Sequence, residues 1–347
     1  MSTMRHRSPR VHLVNPLWDP SGGADWRTLE TWRLLRAHAD VRLWTEYEPA
    51  PTFAAAYPIE RIAPLRWRFP RDGTLVFIGT YFRIGHWTRF AAPERVVILY
   101  NTDQPDRLTK NLRRLEKAGH EVEIVYTSRA LRQRHRGQGC VLESPIDVTK
   151  FRPSRTARPD GPFTVGRLSR DIRSKHHEDD PALWRALAAA GCRVRLMGAT
   201  CLAAELADHP GIELLPAGAE EAATFLRSLD CFVYRTSTRW FEAYGRVIME
   251  AMATGLPIVA GHLGGYVEHL RDGANAAIAL TTHDAIECVL ALAADRARAA
   301  RLGAAARHDA VVLNTEDLPR RTVALLARDA PAVQPDPDIG TALRYGP

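Results

Sequence analysis

The sequence predicts an α/β protein built from two doubly wound domains in tandem. Short apolar strands alternate with helical segments in both halves of the chain. A stretch rich in Pro and charge interrupts this alternation near the middle, and 347 residues suit two domains of about 100–200 residues each. With 46% hydrophobic and 25% charged residues, the composition excludes collagen-like, coiled-coil and largely disordered chains.

In the first half, apolar runs predict the strands of one parallel sheet. The first run, Val11–Asn15, leads into a loop containing Ser21-Gly22-Gly23, and a helical pattern follows from Trp26 to Leu35. Further strands are predicted at Val41–Trp44, Leu75–Gly79, Val96–Tyr100 and Val122–Tyr126. Such strands, separated by helical segments, favour a parallel sheet covered on both faces.

The stretch Phe151–Pro162 has no apolar period and is predicted to link the domains. After it, strands are predicted at Phe163–Leu168, Val194–Met197, Cys231–Tyr234 and Pro257–Ala260, and helices at Pro181–Ala190, Ala219–Ser228, Gly245–Thr254, near Gly265 onward, 282–311 and 316–328. We therefore expect domains at 1–155 and 162–330, followed by a Pro-rich tail at 331–347. Doubly wound sheets bind ligands at the carboxyl ends of their strands, so we expect the site in a cleft between the domains.

Charge and cysteine content limit the class of binding partner and the cellular compartment. Residues 1–150 carry 24 Lys and Arg against 16 Asp and Glu, so the whole positive excess lies there and favours an anionic partner. Five scattered cysteines without C-x-x-C spacing predict neither a disulfide framework nor a zinc site. No apolar run reaches the ~20 residues of a membrane span, and the polar start predicts no secretory signal, so we expect a cytoplasmic protein.

The most informative segment lies between Arg235 and Glu268. A polar loop follows an apolar strand, and a helix is predicted to begin at Gly245 and end at Gly255. A helix start presents unpaired N–H groups, so a phosphate is expected against the amides of Tyr244 to Val247.

Two glutamates flank this predicted phosphate site. Carboxylates accept hydrogen bonds, so Glu242 and Glu250 suit the hydroxyls of a sugar nucleotide. The alternative is that Glu242 complements the helix dipole and that Glu250 is solvated.

The string F-E-A-Y-G-R-V-I-M-E-A-M-A-T-G-L-P (241–257) resembles the donor-binding signature of retaining GT-B glycosyltransferases, in particular family 4 of the glycosyl transferases group 1. The resemblance implies that Glu242 contacts the donor sugar and that Glu250 holds the ribose hydroxyls. It implies that the amides of Gly245, Arg246 and Val247 bind the distal phosphate.

Other segments fall in the order of this family. G-R-L-S-R-D-I-R-S-K (166–175) resembles the family's Gly-Arg…Lys element, which implies that Arg167 and Lys175 neutralise the diphosphate, although Arg170 and Arg173 are alternatives in the same loop. Gly22 and Gly23 resemble the N-terminal glycine-rich loop, whose backbone approaches the diphosphate. No Asp-x-Asp motif occurs in the position expected for a metal-dependent GT-A enzyme. The resemblance therefore implies that neither a metal nor another cofactor is needed beside the nucleotide-sugar donor.

The first domain departs from the family at one place. Where many relatives carry a histidine facing the donor sugar, this sequence has Asn101, with Asp103 nearby. His86 lies before that strand and is a further candidate for a residue facing the acceptor or the sugar.

A basic segment, Arg107–Gly119, has a helical stripe of leucines and five basic residues. It is either a helix with a solvated charged face or a surface for an anionic membrane that delivers a lipid-linked acceptor. R-W-R-F-P-R (66–71) adds basic and aromatic surface. No nucleic-acid motif is present, so a nucleic-acid partner is not expected.

The resemblance implies a metal-independent retaining hexosyltransferase that uses a UDP- or GDP-sugar and a cell-envelope or exopolysaccharide acceptor. The family resemblance implies front-face attack, with a donor phosphate oxygen as base. The alternatives are a nucleotide-sugar-binding protein without transfer activity, or a phosphorylase or epimerase on the same fold.

Overall fold

The computed structural model describes residues 9–154 and 161–327, which form two compact units. Of these residues, unit 1 takes 9–18, 31–143 and 320–327, and unit 2 takes 19–30, 144–154 and 161–319. The predicted domain bounds stay a prediction, because most of the segment between them lies outside the described residues. The predicted tail at 331–347 also lies outside them.

Unit 1 contains a six-stranded parallel sheet in the order β3-β2-β1-β4-β5-β6. Its strands are β1 (Arg10–Val14), β2 (Asp40–Thr45), β3 (Ile59–Arg61), β4 (Thr74–Ile78), β5 (Arg95–Tyr100) and β6 (Val122–Tyr126). Its helical segments are α1 (Gly23–Leu35), which begins in unit 2, α2 (Pro51–Ala56), α3 (Pro105–Lys117), α4 (Arg129–Arg134), the 3-10 turns Pro64–Arg66 and His86–Phe90, and, at the end of the described chain, α11 (Leu318–Leu326).

Unit 2 repeats this topology with the order β12-β11-β10-β7-β8-β9, again fully parallel. Its strands are β7 (Thr164–Leu168), β8 (Arg193–Met197), β9 (Ile212–Leu215), β10 (Cys231–Tyr234), β11 (Ile258–Gly261) and β12 (Ala277–Ala279). Its helices are α5 (Asp180–Ala189), α6 (Ala203–Leu206), α7 (Ala222–Arg227), α8 (Arg246–Ala253), α9 (Thr282–Ala294) and α10 (Arg296–Val312), with 3-10 turns at Arg173–Lys175, Thr200–Leu202 and Gly265–His269 and a π turn at Leu313–Asp317.

Each sheet has the strand order of a Rossmann fold, so the prediction of two doubly wound parallel sheets is confirmed. The central strands are buried on both faces; β4 and β10, for example, are buried along their whole length. All five cysteines lie in the described residues, and none forms a disulfide.

Several elements differ from the prediction. The short helices α2, α4 and α6 were not predicted, and the helix expected at 282–311 is divided at Asp295 into α9 and α10. The strands β3, β9 and β12 were not predicted; each has only three or four residues, and none is buried along its whole length. The helix expected near Gly265 is wrong: a five-residue 3-10 turn ends at His269, and Leu270 is extended. Among the described residues, no helix has the length and apolar character needed to cross a bilayer.

Candidate active site

The strand order of each sheet reverses at one place, and loops that leave the sheet there diverge and open a crevice. In unit 2 the reversal lies between β7 and β10, and in unit 1 between β1 and β4. The loops after β7 and β10 carry Lys175 and Glu242, which explains why residues 67 positions apart in sequence meet.

Lys175 and Glu242 form an ion pair in unit 2. The Lys175 ammonium donates to Oε2 of Glu242, and the hydroxyl of Tyr234 donates to the same oxygen at 2.8 Å. Lys175 Nζ also lies 4.8 Å from the centre of the Trp240 ring. No hydrogen bond to Oε1 of Glu242 occurs within the described part of the chain, so this oxygen is available to accept a bond from a hydroxyl.

The charges of this pair depend on one another. Burial acts to raise the pKa of Glu242, but Lys175, the Tyr234 hydroxyl and nearby Arg170 outweigh it, so the pKa lies below its ordinary value. Burial lowers the pKa of Lys175, and Glu242 opposes that change. The carboxylate is therefore ionised at neutral pH and holds a cation beside it.

Arg167 lies within β7 and is only 1% exposed. Its guanidinium donates to the backbone carbonyls of Arg235 and Lys175, lies 4.5 Å from the Tyr234 ring centre and is 3.5 Å from Asp180 Oδ2. The structure thus places Arg167 beneath the loop that carries Lys175. Its predicted contact with a diphosphate stays a prediction.

The two other arginines of this loop differ in their surroundings. Arg173 forms an ion pair with Glu205 at 2.6 Å. Arg170 is exposed and pairs with no acidic side chain among the described residues, yet it is close enough to lower the pKa of both Glu242 and Lys175. Of the two, Arg170 is the cation that is free to meet a phosphate.

Gly245 is the N-cap of α8, so this helix begins where the sequence predicted. Gly245 has a left-handed φ of 75°, and a Cβ there would lie 2.9 Å from Cβ of Tyr266, so glycine is required on both counts. The amides of Arg246 and Val247 begin the helix and have no acceptor in a preceding turn. Tyr244 is buried, with its ring edge-on to His269 at 5.5 Å.

Glu250 is not a solvated side chain. It is 6% exposed, and its Oε1 lies 2.9 Å from Arg246 Nε, one helical turn earlier. Burial raises the pKa of Glu250, and Arg246 and Lys150 oppose this change. Arg246 also donates to Ser144 Oγ at 3.2 Å and to the Pro145 carbonyl, so it connects Glu250 to the segment that enters unit 2.

The predicted glycine-rich loop also belongs to unit 2. Gly22 donates its N–H to the Asp19 carbonyl at 2.8 Å, and a Cβ on Gly22 would lie 2.5 Å from Asp25 Oδ2. Gly23 begins α1, and a Cβ there would meet nothing within 4 Å. A side chain on Gly22 would therefore crowd the Asp25 carboxylate, whereas the space beside Gly23 is open.

The residues predicted to face the acceptor or sugar lie in unit 1 and are not brought together. Asn101 follows β5 and accepts a 3.4 Å hydrogen bond from Thr102. Asp103 is held by Arg134 at 2.7 Å and by His135 at 2.8 Å. His86 is exposed at the start of a 3-10 turn. Their predicted roles stay predictions.

The carboxyl edge of the unit 1 sheet carries a cluster that the sequence analysis missed. We call Trp18, Glu46, Tyr47, Tyr81 and Arg83 the aromatic cluster. Trp18 meets Tyr47 edge-on at 4.5 Å, the Tyr47 hydroxyl donates to the Tyr81 carbonyl at 3.3 Å, and Arg83 lies 4.4 Å from the Tyr47 ring centre. Trp18 and Tyr81 are exposed. The only sequence signal was that each residue follows a predicted strand.

Glu46 is the titratable member of the aromatic cluster. It accepts hydrogen bonds from Trp87 Nε1 at 2.9 Å and from the backbone N–H of Arg83 at 2.7 Å. Burial raises the pKa of Glu46 to about 7, although both bonds oppose it. A carboxyl that titrates near neutrality at a strand terminus is typical of a functional site.

Within the described ranges, no three His, Cys, Asp or Glu side chains are grouped so that they could hold a metal ion. Independence from metal stays a prediction.

The pair of Lys175 and Glu242 lies inside a segment with a known sequence pattern. Residues 163–295 match the family model described as Glycosyl transferases group 1. This group 1 match runs from β7 to the end of α9 and confirms the resemblance to the glycosyl transferases group 1, whereas family 4 and retention stay predictions. No protein of curated function matches the chain in sequence.

Solved structures resemble the chain over most of its length. HepE of Anabaena, solved with UDP-glucose, has a TM-score of 0.70 at 16% identity, covering 91% of this chain and 100% of that one. Sucrose-phosphate synthase from Thermosynechococcus elongatus also has a TM-score of 0.70 at 16% identity, covering 91% and 98%. WaaG, a glycosyltransferase involved in lipopolysaccharide biosynthesis, has a TM-score of 0.60 at 13% identity, covering 90% and 99%. These likenesses establish the GT-B fold.

Proposed function

We propose that the protein is a retaining glycosyltransferase. It moves a hexose-type sugar from a UDP- or GDP-sugar to a cell-envelope or exopolysaccharide acceptor without a metal ion. The observation that carries this proposal is the pair of Lys175 and Glu242 at the reversal of the unit 2 sheet, inside the group 1 match. HepE, solved with UDP-glucose, supports a nucleotide-sugar donor.

On the donor side, charge complementarity assigns the roles. The leaving nucleoside diphosphate gains negative charge in the transition state, and Lys175 and Arg170 lie where fixed cations would stabilise it. Oε1 of Glu242 accepts a hydrogen bond from a sugar hydroxyl, and Glu250 accepts from the ribose. The amides of Gly245 to Val247 receive the distal phosphate.

The reaction exchanges two bonds at the anomeric carbon. The bond to the diphosphate oxygen breaks, and a bond to the acceptor oxygen forms on the same face. The proton of the acceptor hydroxyl passes to a phosphate oxygen of the leaving group, so no protein nucleophile is needed.

On the acceptor side, the aromatic cluster of unit 1 offers flat apolar rings beside hydrogen-bonding groups. Pyranose rings carry apolar C–H faces and polar hydroxyl edges, so exposed Trp18 and Tyr81 suit a saccharide acceptor. The basic excess of residues 1–150 supports peripheral contact with the inner face of a membrane, where a lipid-linked acceptor would be met.

A nucleotide panel followed by a transfer assay tests this proposal. UDP or GDP, but not AMP, is expected to raise the melting temperature, since a ligand at a hundred times its Kd stabilises by about 2.7 kcal/mol. When a membrane extract supplies the acceptor, the protein should release nucleoside diphosphate from the matching sugar nucleotide. Glu242→Gln should abolish this release.

Three outcomes would contradict the proposal. Binding without release by any extract would indicate a protein that only binds nucleotide sugars. Dependence on inorganic phosphate would indicate a phosphorylase, and interconversion of the sugar without an acceptor would indicate an epimerase.

A further inference from the structure

Apolar side chains are exposed in two connecting segments of unit 1, one between β3 and β4 and one between β4 and β5. Leu65 is 100% exposed, Trp67 66% and Phe90 62%. The rings of Trp67 and Phe90 meet edge-on with centres 6.2 Å apart. Leu65 and Trp67 lie in the segment before β4, and Phe90 lies in the segment before β5. We call Leu65, Arg66, Trp67, Arg68, Arg71, Arg89 and Phe90 the tip patch.

The backbone conformation holds these side chains in exposed positions. Ala63 and Arg68 form an antiparallel bridge with hydrogen bonds of 2.7 and 3.2 Å, which closes a tight loop with Leu65 and Trp67 at its end. Trp67 has a φ of 54°, a left-handed conformation that is uncommon for a bulky side chain. Such conformations persist where the surrounding structure imposes them, and they concentrate at functional sites.

Positive charge surrounds the exposed apolar side chains. Residues 64–71 and 86–92 contain four arginines and no Asp or Glu. Arg68 pairs with Glu60 at 3.4 Å, and Arg71 lies 4.9 Å from the Phe69 ring centre. Arg66 and Arg89 are exposed and pair with no acidic side chain in the described part of the chain.

The basic helix α3, the other candidate surface, lacks the apolar component. Leu108 and Leu115 are buried against unit 1, whereas Arg113 and Arg114 are exposed. An interfacial helix must place an apolar face in the lipid, so α3 offers charge alone. The tip patch offers both charge and exposed apolar area.

We propose that the tip patch is the part of the protein that inserts into an anionic lipid surface. Tryptophan prefers the membrane interface, leucine and phenylalanine enter the acyl boundary, and arginines bind anionic headgroups. This inference rests on the proposed function, in which the protein meets a lipid-linked acceptor at a membrane surface.

Vesicle flotation of the full chain tests the inference. The probes are vesicles of phosphatidylcholine alone and vesicles in which about a third of the lipid is phosphatidylglycerol. We expect the wild type to bind the anionic vesicles and Leu65→Ser/Trp67→Ser to bind about tenfold more weakly. Leu263→Ser/Leu280→Ser replaces two exposed leucines of unit 2 and should bind like the wild type.

A second pair of variants separates the tip patch from α3. Arg66→Gln/Arg89→Gln should weaken binding to anionic vesicles by about tenfold or more, because two charges that contact headgroups are lost. Arg113→Gln/Arg114→Gln should weaken binding by less than about threefold, which is less than the effect of one arginine at the lipid surface. All these side chains are exposed, so matching melting temperatures will show that the variants are folded.

Several results would overturn the inference. They are absence of wild-type binding, wild-type binding by Leu65→Ser/Trp67→Ser, or a larger loss in the α3 variant than in Arg66→Gln/Arg89→Gln. A changed oligomeric state of Leu65→Ser/Trp67→Ser with unchanged vesicle binding would instead assign the patch to a protein contact. The proposed function is tested separately from this inference, because transfer and vesicle binding are measured independently. Glu242→Gln should abolish transfer and leave vesicle binding unchanged.

Discussion

The two units share one strand order but carry different chemistry where that order reverses. In unit 2 the loops at the reversal bring together ionised groups, Lys175 and Glu242, with Arg170 beside them. In unit 1 the equivalent loops expose the rings of Trp18 and Tyr81, and Tyr47 contacts the Trp18 ring and the backbone carbonyl of Tyr81. The topology therefore fixes where a ligand binds, and the loop residues fix which ligand it is.

The difference matches the two substrates of a glycosyl transfer. A nucleoside diphosphate is highly charged, and its departure needs fixed cations. A saccharide is neutral and is recognised by ring faces and hydroxyl bonds. Variants at each reversal should therefore affect one substrate and spare the other.

The largest expected effect is that of Lys175→Ala. It leaves the Glu242 carboxylate buried without its counter-charge, which costs about 3 kcal/mol of unfolding free energy, and it lowers kcat about a hundredfold or more. Urea denaturation and initial rates measure the two effects. The double variant Lys175→Ala/Glu242→Gln should regain stability but not kcat; recovery of both would show that the pair is only structural.

The next effect concerns the two exposed arginines of the same loop. Arg170→Gln should lower kcat about tenfold or more, because Arg170 is free to meet the leaving phosphate. Arg173→Gln is the matched control, since Arg173 is paired with Glu205, and should leave kcat within about twofold, as expected for a surface ion pair. The reverse order would contradict the assignment of Arg170.

In unit 1, loss of a ring should weaken sugar binding and spare the donor. Tyr81→Ala should weaken binding of octyl glucoside about fivefold, which corresponds to the ~1 kcal/mol worth of one aromatic contact. Binding of UDP or GDP should not change. Tyr81→Phe keeps the ring and should retain most of the affinity, measured by NMR titration. Equal loss of nucleotide binding in Tyr81→Ala would break the division between the units.

The last expected effect leaves both substrates aside and is a dependence of stability on pH. Glu46 has a pKa of about 7 in the folded state, above its ordinary value of 4.5, so the folded protein holds its proton more tightly than the unfolded chain. This contribution to stability is fully present below about pH 4.5 and is lost as the pH rises through 7, by about 3 kcal/mol. Glu46→Gln should remove this slope from a series of urea denaturations, and an identical slope in both proteins would contradict the shifted pKa.

Much of the unit 2 site could be predicted from the sequence. Gly245 and the string at 241–257 locate the start of α8, and the strand-to-loop pattern places Lys175 and Glu242 at strand ends. The burial of Arg167 could not be predicted, because an arginine inside a short strand carries no sign of the carbonyls that surround it. The raised pKa of Glu46 depends on Trp87, 41 residues away, which no local pattern connects to it.

The central claim is that Glu242 recognises the donor sugar while its neighbours hold the diphosphate. Calorimetric titration of wild type and Glu242→Gln, with UDP or GDP and with UDP-glucose or GDP-mannose, tests it most directly. We predict that Glu242→Gln binds the nucleoside diphosphate as tightly as the wild type or more tightly, because Lys175 is freed. The sugar nucleotide should bind about tenfold more weakly, a loss of about 1.4 kcal/mol. Equal weakening of both ligands, or of neither, would contradict the account.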